Sequence, residues 1–160
     1  MTYDNNLFLL IRAIPEAIGT VCLALVLIKK PAPLKAIFLT GTIAGIIIFL
    51  IRILPFKFGV HLPIFLIILI LMLNYSFKIN NLLRNSAGAL GAIICLTIFE
   101  WLTVPLLSYL FNISLENLKD AGDLIIFAFG LPSLFLLLLV AFGGYLLLLR
   151  KENKDHALDQ

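Results

Sequence analysis

The chain has 160 residues, of which 62% are hydrophobic and 13% charged, with a formal net charge of +3 and a mean hydropathy of +1.11. Apolar residues make up about half of an ordinary soluble domain, so this composition points away from a soluble globular enzyme and to an integral membrane protein. The pI near 9.0 does not indicate a nucleic-acid partner, because the bases sit at the ends of apolar runs and form no basic face.

Runs of about 17–25 apolar residues match the ~30 Å hydrocarbon core, and about five occur, at 7–28, 34–54, 60–77, 87–111 and 124–149. They predict an all-α bundle of about five transmembrane helices in one domain, 1–149, with a short cytoplasmic tail at 150–160. A membrane β-barrel needs short alternating segments, whereas these runs are continuous and rich in Leu and Ile.

The first run carries Arg12-Ala13-Ile14-Pro15-Glu16. Two charges and a proline interrupt what would be the apolar region of a cleavable leader, which predicts a retained first helix. A charge near a helix centre costs ~2.5–3.5 kcal/mol on insertion scales, so later spans are expected to supply partners. The first connection, Lys29-Lys30-Pro31-Ala32-Pro33-Leu34-Lys35, is cytoplasmic by the positive-inside rule, which places the N-terminus outside. Lys78, Arg84, Arg150, Lys151 and Lys154 fall on the same side, predicting a cytoplasmic C-terminus.

In the second run Gly41-Thr42-Ile43-Ala44-Gly45 is a small-xxx-small pattern that admits a neighbouring backbone, either within the chain or in a homodimer. Ala87, Gly88, Gly91 and Ala92 offer a second small face, and Gly143-Gly144 would loosen the last span. Tyr3, Phe56, Phe58, Tyr109 and Phe111 at outer ends, with Tyr75, Phe77 and Tyr145 at inner ones, read as aromatic belts. Between the fourth and fifth runs, Ser114 to Gly122 suits a short helix on the outer surface. Cys22 and Cys95 lie far apart within spans and show no metal spacing, so they read as small buried hydrophobes.

Helical rise places several charged groups at one depth. Glu16 lies ~14 Å below the outer start of its helix and Glu100 within ~15 Å of the outer end of the fourth span. Arg12 is one turn from Glu16, Arg52 is near the outer end of the second span, and His61 lies just across the short loop. Two readings follow: a charge-neutral structural network, or an outward-facing cavity in which Arg12, Glu16, Arg52, His61 and Glu100 meet a polar ligand while Trp101 holds its apolar part. Pro15, Pro105 and Pro132 leave carbonyls of their own helices without a donor and predict bends. No zinc-protease, nucleophile-elbow or phosphate-loop motif occurs, so no enzyme activity, metal or cofactor is expected.

Arg12-Ala-Ile-Pro15-Glu16, then Arg52-Ile-Leu-Pro55-Phe-Lys-Phe58-Gly59-Val-His61, then Glu100 with Pro105, then Ser114-Leu-Glu116, resemble the five-span membrane input region of some Gram-positive sensor histidine kinases, and the short membrane proteins made of that region alone. The likeness covers residues 7–149. It implies a bacterial plasma-membrane protein that perceives an external ligand, such as a peptide or amphiphile. Only Arg150 to Gln160 follow the last span, so kinase activity does not carry over and signalling would need a separate kinase or other membrane partner. The competing expectations are the substrate-binding subunit of a transporter, for which Ala13-x-x-x-Ala17 would suit docking, and a purely structural subunit.

Overall fold

The computed structural model describes residues 3–53, 61–79, 81–111 and 123–158. Regular structure among them is entirely helical: α1 (Tyr3–Leu27), α2 (Leu34–Ile53), α3 (His61–Phe77), α4 (Leu82–Phe111) and α5 (Asp123–Leu158). Four of the five, α1, α2, α4 and α5, are long and apolar enough to cross a membrane. The fifth, α3, is apolar but has 17 residues, a length of about 25 Å at the usual rise.

The bundle is built around α1, which packs on α2, α4 and α5, while α3 fills the space between α2 and α4. Residues 16–25 of α1 are all buried, as suits a helix apolar on every side apart from its charged turn. The outer helices each bury one stripe. In α2 it is Ile37, Thr40, Gly41, Ala44, Gly45 and Ile48; in α3 Phe65, Leu69, Leu73 and Phe77 recur every four residues. Their other faces expose large apolar side chains such as Leu39, Ile67, Ile98 and Phe135. That is the pattern of helices surrounded by lipid, where no hydrophobic effect drives the outer face inward.

Close approach of α1 and α2 depends on two glycines. A Cβ on Gly41 would stand 2.6 Å from the Cα of Ile18, and one on Gly45 2.7 Å from the Cα of Ile14. The pairing of 41 with 18 and 45 with 14 makes the two helices antiparallel. This backbone contact lies within the chain, the first of the two readings of the small-residue pattern, and α1 occupies the face that a homodimer through Gly41 and Gly45 would need. Ala13 and Ala17 are fully buried in the same core and present no docking surface to a transporter subunit. Arg84 donates to the carbonyl of Ile28, Gly88 faces Ala24, and Arg12 reaches Glu100, so α4 is also antiparallel to α1. By contrast α5 runs parallel, with Gly130 beside Arg12, the Cys22 thiol donating to the carbonyl of Ala141 at 3.5 Å, and Tyr145 donating to Ala32.

Helix ends explain where the boundaries differ from the apolar runs. α1 closes in a Schellman turn: Lys29 sits at φ 52°, its amide bonds Val26, and that of Lys30 bonds Leu25. α4 starts five residues before its apolar run because Asn81 caps it, accepting from the amide of Arg84 at 3.1 Å. α5 continues through the segment read as a tail to Leu158, since 150–158 contains neither proline nor glycine and is rich in strong helix formers. Gly143 and Gly144 do not interrupt it.

The aromatic belt also needs correction. Tyr145 is buried and donates to the carbonyl of Ala32 at 2.7 Å, and Phe77 belongs to the core, whereas Tyr75 and Tyr109 project outward. The connection Pro55 to Gly59 and the expected surface helix Ser114 to Gly122 lie outside the described residues.

Candidate functional site

Arg12 and Glu16 are one turn apart on α1, which brings Nε of the arginine 3.5 Å from Oε2 of the acid. Arg52, in the last turn of α2, reaches the same carboxylate from the other side, donating from Nη2 to Oε1 at 2.7 Å and from Nη1 to Oε2 at 3.4 Å. Arg12 turns its Nη2 to Oε1 of Glu100 on α4. The four groups therefore form a linear chain, Arg52 to Glu16 to Arg12 to Glu100, that ties three helices together. Two guanidinium groups and two carboxylates sum to zero, which is the condition for holding such groups inside a bilayer at tolerable cost.

The fourth helix of the cluster contributes space. A Cβ on Gly130 of α5 would lie 2.6 Å from Cζ of Arg12, so the guanidinium rests directly against the α5 backbone. Beside it, Ser133 is buried and donates to the carbonyl of Gly130 at 2.8 Å. The sequence reading missed Gly130; the available signal was a small residue in Gly130-Leu131-Pro132 at a depth matching Arg12. Gly130→Ala should displace the guanidinium, weaken its contact with Glu100 and cost about 1–3 kcal/mol, the range for an overpacked site. Thermal unfolding of purified protein checks this, and the loss should be less than additive with Glu100→Gln because both act on Arg12.

Pro15, Pro105 and Pro132 all lie inside their helices. Each removes an amide donor four residues on from Ile11, Trp101 and Ala128 respectively, so three carbonyls are released around the charged level. Buried hydroxyls nearby satisfy themselves on their own helices: Thr20 donates to the backbone carbonyl of Glu16 and Thr103 to that of Phe99, each at 2.7 Å.

Solvent and lipid access is graded along the chain of charges. Side-chain exposure is 4% at Glu16, 21% at Arg12, 29% at Arg52 and 36% at Glu100. Of the residues singled out from the sequence, Arg12, Glu16, Arg52 and Glu100 come together. Trp101 does not: it is 78% exposed, turned about 100° from Glu100 around α4, and faces away from the bundle. His61 opens α3, and its side chain lies outside the described residues. Among the described residues there is no group of three metal-ligating side chains.

No family model, no curated protein and no solved structure matches this chain. The geometry of the charged cluster thus stands as the main guide to function.

Proposed function

We propose that this is a non-enzymatic membrane protein of five spans, with its N-terminus outside and its C-terminus in the cytoplasm of a bacterial cell, that senses a charged ligand in the outer leaflet and acts through a separate partner. The observation that carries the reading is the gradient of exposure. A network that only balances charge needs no accessible member, whereas here a cation, Arg52, and an anion, Glu100, at opposite ends of the chain of charges, are the two most exposed of the four. A ligand bearing both signs, such as a peptide or the headgroup of an amphiphile, would compete for these ends. Each end belongs to a different helix, so competition there loosens α2 or α4 from α1 and gives binding a mechanical output. The 17 residues of α3 reach the lower limit for a span, and packing between α2 and α4 gives it a place in the same layer.

Topology is tested by single cysteines in a background lacking Cys22 and Cys95. Those at Lys30 and Asn153 should resist an impermeant thiol reagent in intact cells, and one at Asn117, between α4 and α5, should react. Labelling at position 30 from outside would overturn the orientation. Function is tested by native mass spectrometry of gently solubilised complexes. A co-purifying kinase supports sensing; an ATP-hydrolysing module would replace this reading with a transporter subunit, and a chain free of partners favours neither.

A further inference from the structure

The end of the bundle opposite the charged cluster holds a groove of about 380 Å³ between the close of α1 and the start of α4. It is lined by Leu27, Ile28, Lys29, Arg84, Ala87, Gly88 and Gly91. Its two ends differ in chemistry. At the mouth stand Lys29 and Arg84, both exposed, with Lys30 next in the chain. Every ion pair among the described residues is made by Arg12, Glu16, Arg52 and Glu100, so no described carboxylate pairs with the bases at the mouth. From Arg84 to Gly91 the groove follows α4 for about 10 Å, and along that length α4 offers only small residues, Ala87, Gly88 and Gly91, opposite the aliphatic side chains of Leu27 and Ile28.

We infer that this groove is a binding site for one anionic phospholipid, the phosphate held between Lys29 and Arg84 and an acyl chain laid along Ala87 and Gly91, with Gly88 closing the floor against α1. Charge complementarity selects the headgroup: unpaired bases at the end of a transmembrane helix pair attract anionic lipid with about 1 kcal/mol each. The apolar floor selects a lipid over a soluble phosphate. Geometry at the mouth supports the same occupant. The Schellman turn at Lys29 uses the amides of Lys29 and Lys30 internally, and Arg84 spends one nitrogen on the carbonyl of Ile28. The guanidinium is thus fixed in place, with its remaining donors available for a phosphate. A bound lipid would staple the end of α1 to α4, on the far side of the bundle from the Arg12 to Glu100 contact.

The test is native mass spectrometry of the full chain titrated with phosphatidylglycerol or with phosphatidylcholine of the same acyl composition. The wild-type protein should retain one phosphatidylglycerol in preference to phosphatidylcholine. Lys29→Gln should weaken that retention about fivefold, the equivalent of one base near the surface. Gly91→Leu, which fills the acyl groove and meets only the flexible end of Leu27, should abolish it while the melting temperature in phosphatidylcholine stays near wild type. Equal retention of both lipids, or undiminished retention by both variants, overturns the site. Displacement of the lipid by soluble glycerol phosphate at the same concentration overturns it in favour of a phosphate site. A second protein chain that leaves on Gly91→Leu overturns it in favour of self-association.

Discussion

Replacing Glu16 with Gln should be among the most damaging single substitutions in this protein, with an expected loss of about 3–5 kcal/mol, because it strands two guanidinium groups at once. Its carboxylate is 4% exposed and accepts from Arg52 through both oxygens while lying 3.5 Å from Arg12. Removing its charge leaves the cluster at +1, with Arg52 facing an amide that can satisfy it only in part. Unfolding of the purified protein in mild detergent measures the loss. Arg52→Gln placed on top of Glu16→Gln should recover a large part of it, and the coupling from the double-mutant cycle should exceed about 1 kcal/mol. Glu100→Gln should cost distinctly less, since Glu100 sits at an open end where water or headgroups can replace it. If that variant also loses the response of a partner while keeping its melting temperature, sensing is favoured over a structural role. Coupling near zero between Glu16 and Arg52 would remove the network and the ligand reading with it.

The second large effect is expected at Gly41 and Gly45. At each position the nearest obstacle to a new Cβ is backbone of α1, at 2.6 and 2.7 Å, so no rotamer change can relieve the clash. The helices must separate. Gly41→Ala or Gly45→Ala should each cost about 1–3 kcal/mol, and the leucine variants considerably more, because parting α1 from α2 also draws Arg52 away from Glu16. Gly143 provides the internal control. Nothing lies within 4 Å of its Cβ position, so Gly143→Ala should be neutral or stabilise by up to about 1 kcal/mol through helix propensity. Equal melting temperatures for Gly41→Leu and wild type would show that α1 and α2 do not meet at these glycines.

Depth was legible in the sequence and azimuth was not. Constant rise along a helix fixes how far each residue lies from the end of its apolar run, which is why Glu16 and Glu100 were placed at one level before any contact was known. Which way a side chain points around its helix is a different matter. In a soluble helix a polar stripe marks the outside, but in α3, α4 and α5 the lipid-facing and core-facing sides are equally apolar. Trp101 therefore read as holding the apolar part of a ligand, although it faces away from the bundle, and Tyr145 read as a belt residue, although it is inside. Gly41 and Gly45 were legible as a close-approach site, yet their partner was not, since a small-residue pattern fits a neighbouring span or a second copy equally well. Gly130 was illegible for a further reason: it acts by lacking a side chain, and only the Arg12 guanidinium above it reveals that.

The central position of α1 has a consequence for how the protein is made. The helix that the others enclose is the earliest in chain order, so it enters the membrane well before α4 and α5 have been synthesised. During that interval Arg12 and Glu16 have only each other, and their spacing of one turn lets the helix carry its own counterion from the moment it forms. Arrival of α2 brings Arg52 and raises the growing cluster to +1; neutrality returns only with Glu100 on α4. A nascent chain halted before α4 would thus hold an uncompensated cation within the bilayer, a chemical mark by which a membrane quality-control protease could tell an unfinished molecule from a finished one.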